Sequence, residues 1–109
     1  MVHRDLAGGR WWTLSLAEQL GNVGSEIGRA SSWMSRNPGT ALLAFYRALE
    51  LIDLTLADPR LRGSRARLRE IARAREVVVD FFAGSNEYGS TARSLQKYFD
   101  QYALAARKK

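Results

Sequence analysis

The arginine-rich segment is the part of this chain that offers chemistry. Seven arginines lie between Arg60 and Arg75, and Glu70 is the only acid among them. The segment therefore carries a net charge of +6, which equals the formal charge of the whole chain. A guanidinium stays protonated and presents a fork of N–H donors that matches phosphate. This segment predicts the binding of a polyanion, and nucleic acid is the polyanion that we expect.

The predicted phosphate contacts are arginines in and just before one helix. On a helical wheel, Arg65, Arg69 and Arg73 share a flank, whereas Arg67 lies on the opposite flank. Contacts of this kind fix a protein on the backbone without reading bases, so DNA versus RNA and sequence preference are left open. The predicted set is Arg60, Arg62, Arg65, Arg67, Arg69 and Arg73.

Two other interpretations of this segment are open. The arginines can form a solvated helix face, with Arg73 paired to Glu70 and Glu76, which lie three residues away on either side. A membrane surface is the third interpretation, although the apolar residues are expected in the core.

Residue types that support catalysis are scarce. The chain has no cysteine, and its single histidine, His3, lies in the N-terminal tail. Thiol chemistry, cysteine-ligated metals and a histidine acid–base pair are therefore excluded. The acidic pair Glu76 and Asp80 alone is too weak a metal signal. We predict no catalytic residue, no metal site, no cofactor and no enzymatic activity; a nuclease is disfavoured by the missing histidine.

Two opposite charges are expected on inward faces. Arg75 falls within the apolar row of the third helix, and Asp53 lies between Leu49 and Leu56 on the second. An unpaired charge in a core is very costly, so we predict a structural ion pair between Arg75 and Asp53 that is buried or half-buried. The alternative is a phosphate-binding or catalytic charge in a cleft.

The elements that position these residues are predicted to be four helices. Ser15 and Glu18 form a capping box at the start of the first. Pro38 begins the second, and Ser64 and either Ser90 or Thr91 cap the third and fourth. The expected inward residues of helix one are Leu16, Leu20, Val23, Ile27, Ala30 and Met34. Those of helix two are Leu42, Phe45, Tyr46, Leu49, Ile52 and Leu56. Those of helix three are Leu68, Ile71, Ala72, Val78, Val79 and Phe82.

Length and loop spacing predict the architecture. A chain of 109 residues with 46% hydrophobic residues fits one domain with a core. Helices of roughly 16–22 residues joined by short loops are typical of an all-α, up-down-up-down four-helix bundle. We assign residues 1–13 to an N-terminal tail, in which Trp11 and Trp12 fold back, and residues 14–109 to the bundle. No apolar run approaches the roughly 18 residues of a membrane span, so we expect a cytoplasmic protein without a membrane partner.

Glycines follow one flank of the first helix. Gly21, Gly24 and Gly28 each cost about 1 kcal/mol relative to alanine in a helix interior. Such a cost indicates that another helix approaches closely there. The neighbour is either a helix of the same bundle, which we favour, or another subunit.

Three strings carry a resemblance to a known family: 15–30 (SLAEQLGNVGSEIGRA), 47–59 (RALELIDLTLADP) and 80–89 (DFFAGSNEYG). They look like segments of small uncharacterised bacterial four-helix proteins. The layout and basic charge also resemble the accessory variability determinant proteins of diversity-generating retroelements. That resemblance implies a homo-oligomer that binds template RNA and partners a reverse transcriptase.

Together these features predict a non-enzymatic nucleic-acid-binding accessory protein. The alternative is a helical protein–protein interaction module, in which the glycine flank docks a partner and the arginines only aid solubility.

Overall fold

The computed structural model describes residues 9–108, so the first eight residues of the predicted tail, with His3, and Lys109 lie outside the described residues. The described chain forms four helices and no strand, which confirms the all-α class. The helices are α1 (Leu16–Trp33), α2 (Pro38–Leu56), α3 (Arg65–Ala83) and α4 (Ala92–Arg107). Two short 3₁₀ turns, Trp11–Thr13 and Pro59–Leu61, precede α1 and α3.

Local sequence determines where the helices begin. The capping box of α1 is present, since Glu18 N donates to Ser15 Oγ at 3.1 Å and Ser15 N donates to Glu18 Oε1 at 2.8 Å. Ser64 caps α3 as predicted, and α2 begins at Pro38 with Asn37 as its cap. Thr91 rather than Ser90 caps α4. These predictions hold because a cap depends on residues only three positions apart.

Helix α1 is the centre of the fold. It packs closely against α2 and α4, whereas α3 packs against α2 and stays further from α4. Its buried residues include Leu20, Val23, Ile27 and Ala30, as the periodicity predicts. Met34 is exposed instead, because it follows the last residue of α1.

The glycine flank of α1 packs against α4 of the same chain. A Cβ on Gly24 would lie 2.8 Å from Phe99 Cβ, and one on Gly21 would lie 3.1 Å from Ala103 Cα. A Cβ on Gly28 would meet only the end of a side chain, Gln96 Oε1, at 2.9 Å. The neighbour is therefore intramolecular, and this flank is not free to dock a partner.

The inward face of α2 differs from the prediction. Leu42 and Tyr46 were expected in the core, but they are 47% and 52% exposed. Small side chains are buried instead, and they let the α2 backbone lie close to α1. Helix α2 is apolar on most of its circumference, so large residues alone did not identify the buried stripe. The stripe is Ala41, Ala44, Phe45, Ala48, Leu51, Ile52 and Thr55.

On α3, the predicted core residue Ala72 is exposed as well.

The Asp53–Arg75 pair is present at the surface. Arg75 Nε donates to Asp53 Oδ1 at 2.7 Å, and the side chains are 38% (Arg75) and 55% (Asp53) exposed. The predicted ion pair is confirmed, and Arg75 is half-buried. Only the burial of Asp53 was wrong, because the inward stripe of α2 runs through Ile52 and Thr55 and turns Asp53 outward. The pair links α2 to α3 without entering the core.

We expect Asp53→Ala to cost less than about 1 kcal/mol of unfolding free energy. An exposed ion pair gains little because water screens both charges and two long side chains must be ordered. Urea denaturation of parent and variant measures the difference. A loss of about 3 kcal/mol, as for a stranded buried charge, would contradict this surface assignment.

The segment before α1 belongs to the packed domain. Trp11 is 3% exposed, and its Nε1 donates to Thr55 Oγ1 at 3.0 Å. Trp12 Nε1 donates to Leu54 O at 2.8 Å. The tryptophans fold back as expected, and the packed domain begins before residue 14 because Trp11 is part of the core.

Candidate nucleic-acid interface

Four arginines, which we call the arginine row, are exposed and have no partner among residues 9–108. They are Arg62, which directly follows the Pro59–Leu61 turn, and Arg65, Arg69 and Arg73 on α3. Three of them recur every four residues on α3, which gives a rise of about 6 Å per step. None of their guanidinium groups forms a hydrogen bond or ion pair within residues 9–108. Their charge is therefore available to an external anion.

Arg60 has a different role from the one predicted. Its guanidinium binds Asp58 through Nε at 3.1 Å and Nη2 at 2.6 Å, and Nη2 also donates to Leu14 O at 2.6 Å. These contacts tie the α2–α3 connection to the start of α1. Arg60 is therefore not part of the arginine row, because its Nε and Nη2 donors are used by the fold.

Asp58 is the centre of a polar network that the sequence did not reveal. Its side chain is buried and accepts hydrogen bonds from Arg60 and from Gln19 Nε2, the latter at 3.1 Å. The Arg60 guanidinium holds the pKa of Asp58 at about 2, below its usual range. Gln19 also donates to Trp11 O at 3.0 Å, so the network joins three separate segments. The only local signal was Asp58-Pro59, which marks a turn and not its partners.

Arg67 is engaged more weakly. Its Nη1 lies 3.4 Å from Glu70 Oε1, while Glu70 Oε2 accepts from Tyr102 Oη at 2.6 Å and Tyr98 Oη at 2.9 Å. The hydrogen bond from Tyr102 lowers the pKa of Glu70, whereas burial raises the pKa of Tyr98. Glu70 therefore connects α3 to α4 and leaves Arg73 without its predicted acidic neighbour.

The other acids of α3 are occupied by the α3–α4 loop. Glu76 Oε2 accepts from Tyr88 Oη at 3.0 Å. The carboxylate of Asp80 accepts the backbone N–H groups of Glu87 and Tyr88 at 2.9 and 3.0 Å. The pairing of Arg73 with Glu70 and Glu76 that the solvated-face interpretation required is thus absent from the described residues. Within residues 9–108 no three His, Cys, Asp or Glu side chains are grouped to hold a metal ion.

A cavity lies between α3 and α4, beside the arginine row. Its volume is about 280 Å³, and its apolar wall includes Ala74, Val77, Leu95 and Phe99. Arg73, the last member of the row, lines the same cavity. The cavity exists because α3 and α4 are joined mainly through Glu70 and the two tyrosines rather than by close backbone packing.

Comparison with known proteins gives no match to a family model, to a curated protein or to a solved structure. The resemblance to retroelement accessory proteins stays a prediction. Among residues 9–108, no helix has the length and apolarity required to cross a membrane.

Proposed function

We propose that this protein is a non-enzymatic nucleic-acid-binding accessory protein that contacts phosphates through the arginine row. The observation that carries the proposal is that Arg62, Arg65, Arg69 and Arg73 are exposed and have no hydrogen-bond or ion-pair partner among residues 9–108. Four unneutralised guanidinium groups in a row repel one another, and a polyanion relieves this repulsion.

The remaining charges of the segment strengthen this interpretation. Arg60, Arg67 and Arg75 each have a carboxylate partner, whereas the arginine row has none among residues 9–108. Phosphate binding needs donors that are not already used.

A salt titration tests the proposal. With four phosphates neutralised, the logarithm of affinity should fall with the logarithm of salt concentration with a slope of roughly −3.6 for duplex DNA and −2.8 for single strands. Replacing Arg65, Arg69 and Arg73 together with Gln should weaken binding at least about tenfold at low salt and flatten the duplex slope towards about −1. Fluorescence anisotropy with random-sequence RNA and DNA measures both quantities.

The matched control carries the same charge change elsewhere. Arg36, Arg93 and Arg107 are exposed and lie outside α3. Replacing these three with Gln should leave the slope close to that of the parent. Equal slopes for all three proteins, or no binding by the parent at low salt, would reject the arginine row as a phosphate-binding surface.

One observation favours a second function, a protein-interaction module. Met34, Leu42, Leu43 and Tyr46 are all exposed around the N-terminal half of α2, and Phe45 and Phe82 line an adjoining cleft of about 190 Å³. Exposed apolar patches of this kind mark contact sites. The reverse transcriptase partner and the homo-oligomer implied by the resemblance are proposals of this class, and light scattering of the purified protein tests self-association.

A further inference from the structure

The cavity between α3 and α4 has the composition of a site for a flat, partly polar ring. Its lining includes the apolar side chains of Ala74, Val77, Leu95 and Phe99, together with Tyr98. Tyr98 meets Phe99 edge to face, with ring centroids 5.0 Å apart, so the aromatic side of the cavity is fixed by packing. A fixed aromatic surface suits stacking by a nucleobase, since every base has a π-face.

The lining of the cavity also includes polar residues. Arg73 and Glu70 from α3 line it together with Ser90 and Ser94. Arg73 offers guanidinium donors and Ser90 a hydroxyl to the edge of a base. Glu70 is already held by Tyr98, Tyr102 and Arg67, and the Ser94 hydroxyl by Thr91. The volume of about 280 Å³ lies just below the roughly 300–1,000 Å³ of typical small-ligand pockets, and it leaves room for one ring system.

The α3–α4 cavity differs from the apolar cleft beside Phe45 in its position relative to the arginine row. The cleft beside Phe45 is lined by Met34, Pro38, Ala41, Leu42 and Phe82 and by no charged residue. The α3–α4 cavity shares Arg73 with the arginine row. A strand whose phosphates follow Arg65, Arg69 and Arg73 therefore reaches the mouth of the cavity with the base next to Arg73.

We propose that the α3–α4 cavity receives one unpaired nucleobase of a single-stranded nucleic acid whose phosphates lie on the arginine row; this inference rests on the proposed function. A base inside a duplex is stacked and paired, so it enters such a cavity only after unpairing. The protein accordingly prefers single strands and loops over duplex at equal phosphate number.

The decisive probe is an abasic strand. A 12-nucleotide strand carrying bases and an abasic strand of the same length have the same phosphates, and only the first can fill the cavity. The parent should bind the base-carrying strand about tenfold more tightly, which corresponds to roughly 1.4 kcal/mol and lies within the range for stacking one base on an aromatic side chain. The salt slopes of the two strands should be the same, because the phosphate contacts are unchanged.

Variants that fill the cavity test whether the preference for the base-carrying strand arises there. Ala74→Trp should bind both strands with the affinity that the parent has for the abasic strand. Ala105→Trp adds the same side chain at an exposed position outside the cavity lining and should behave as the parent does. Val77→Phe is a second filling variant in case Ala74→Trp loses its helical signal or its thermal transition.

The outcomes separate the two proposals. Equal binding of base-carrying and abasic strands by the parent overturns the base site and leaves phosphate binding intact. A base preference that survives in a folded cavity-filling variant also overturns it. Failure of the parent to bind any strand at low salt overturns both this inference and the proposed function.

Discussion

Asp58→Ala is expected to lower the free energy of unfolding by roughly 3 kcal/mol. The carboxylate is 3% exposed and accepts hydrogen bonds from Arg60 N, from the Arg60 guanidinium and from Gln19 Nε2. Asp58 caps the Pro59–Leu61 turn, and the loss of such a cap costs about 1 kcal/mol. The buried amide of Gln19 would also lose one hydrogen-bond acceptor, which costs about 1–3 kcal/mol. Arg60 is partly exposed and can turn to water, which limits the total.

The matched control for this variant is Asp53→Ala. It removes the same side chain from another Asp–Arg pair, at 2.7 Å, but at the surface. Both variants lose an ion pair, so the difference between their unfolding free energies in urea denaturation measures what burial and the additional hydrogen bonds of Asp58 contribute. Equal losses would show that the Asp58 network contributes no more than a surface pair.

The Asp58 network also predicts a pH dependence. The pKa of Asp58 is about 2 in the folded protein, below the ordinary value of 3.8. Because this pKa is lower in the folded protein than in the unfolded chain, the ionised carboxylate stabilises the fold. The stabilisation is fully present above about pH 4–5 and is lost as the pH falls through the folded-state pKa of about 2. The contribution is roughly 2 kcal/mol, since each pH unit of separation is worth about 1.4 kcal/mol.

Asp58→Asn measures this contribution because it keeps the shape and removes the titration. The lowered pKa of Glu70 acts in the same direction, so the parent alone does not isolate Asp58. The gap in stability between parent and Asp58→Asn should shrink by about 2 kcal/mol between pH 6 and pH 2. A gap that stays constant over that range would contradict the assigned role of the carboxylate.

The starts and ends of the helices could be predicted from the sequence because their signals are local. Ser15 with Glu18, Asn37 with Pro38, and Ser64 each satisfy backbone groups within a few residues. The inward stripe of α2 could not be predicted in the same way. Hydrophobicity favoured Leu42 and Tyr46, whereas close packing against α1 selected alanines, and only the tertiary arrangement distinguishes the two.

The candidate site could be predicted only in part, because some of its features are local in sequence and others depend on tertiary contacts. The concentration of charge on α3 is a property of composition and spacing, so the sequence was enough to locate it. The separation of the arginine row from Arg60 depends on Asp58 and Leu14, and Leu14 lies 46 residues from Arg60 along the chain. The α3–α4 cavity likewise results from Tyr98 and Tyr102 reaching Glu70, a contact that no local pattern indicates.

Gly24→Leu is expected to destabilise the fold by roughly 3 kcal/mol. Even a Cβ at this position would lie 2.8 Å from Phe99 Cβ, an atom attached directly to the α4 backbone. Phe99 is 1% exposed and cannot turn away without leaving the core. Helices α1 and α4 must therefore separate, and overpacking of a tight core contact typically costs about 1–3 kcal/mol, occasionally more.

Gly28 provides the matched comparison one turn along the same flank. There the nearest atom to an added Cβ is Gln96 Oε1, at the end of a side chain whose Nε2 donates to Gly24 O and Asp100 Oδ1. A side-chain end can shift by a few tenths of an ångström more easily than the α4 backbone can. Gly28→Ala should be neutral or stabilising by up to about 1 kcal/mol, because alanine is the better helix former. Gly24→Ala should destabilise despite the same gain in helix propensity, because the clash with Phe99 outweighs it. If urea denaturation gives both alanine variants the same sign, the close approach of α4 at Gly24 is not what holds glycine at that position.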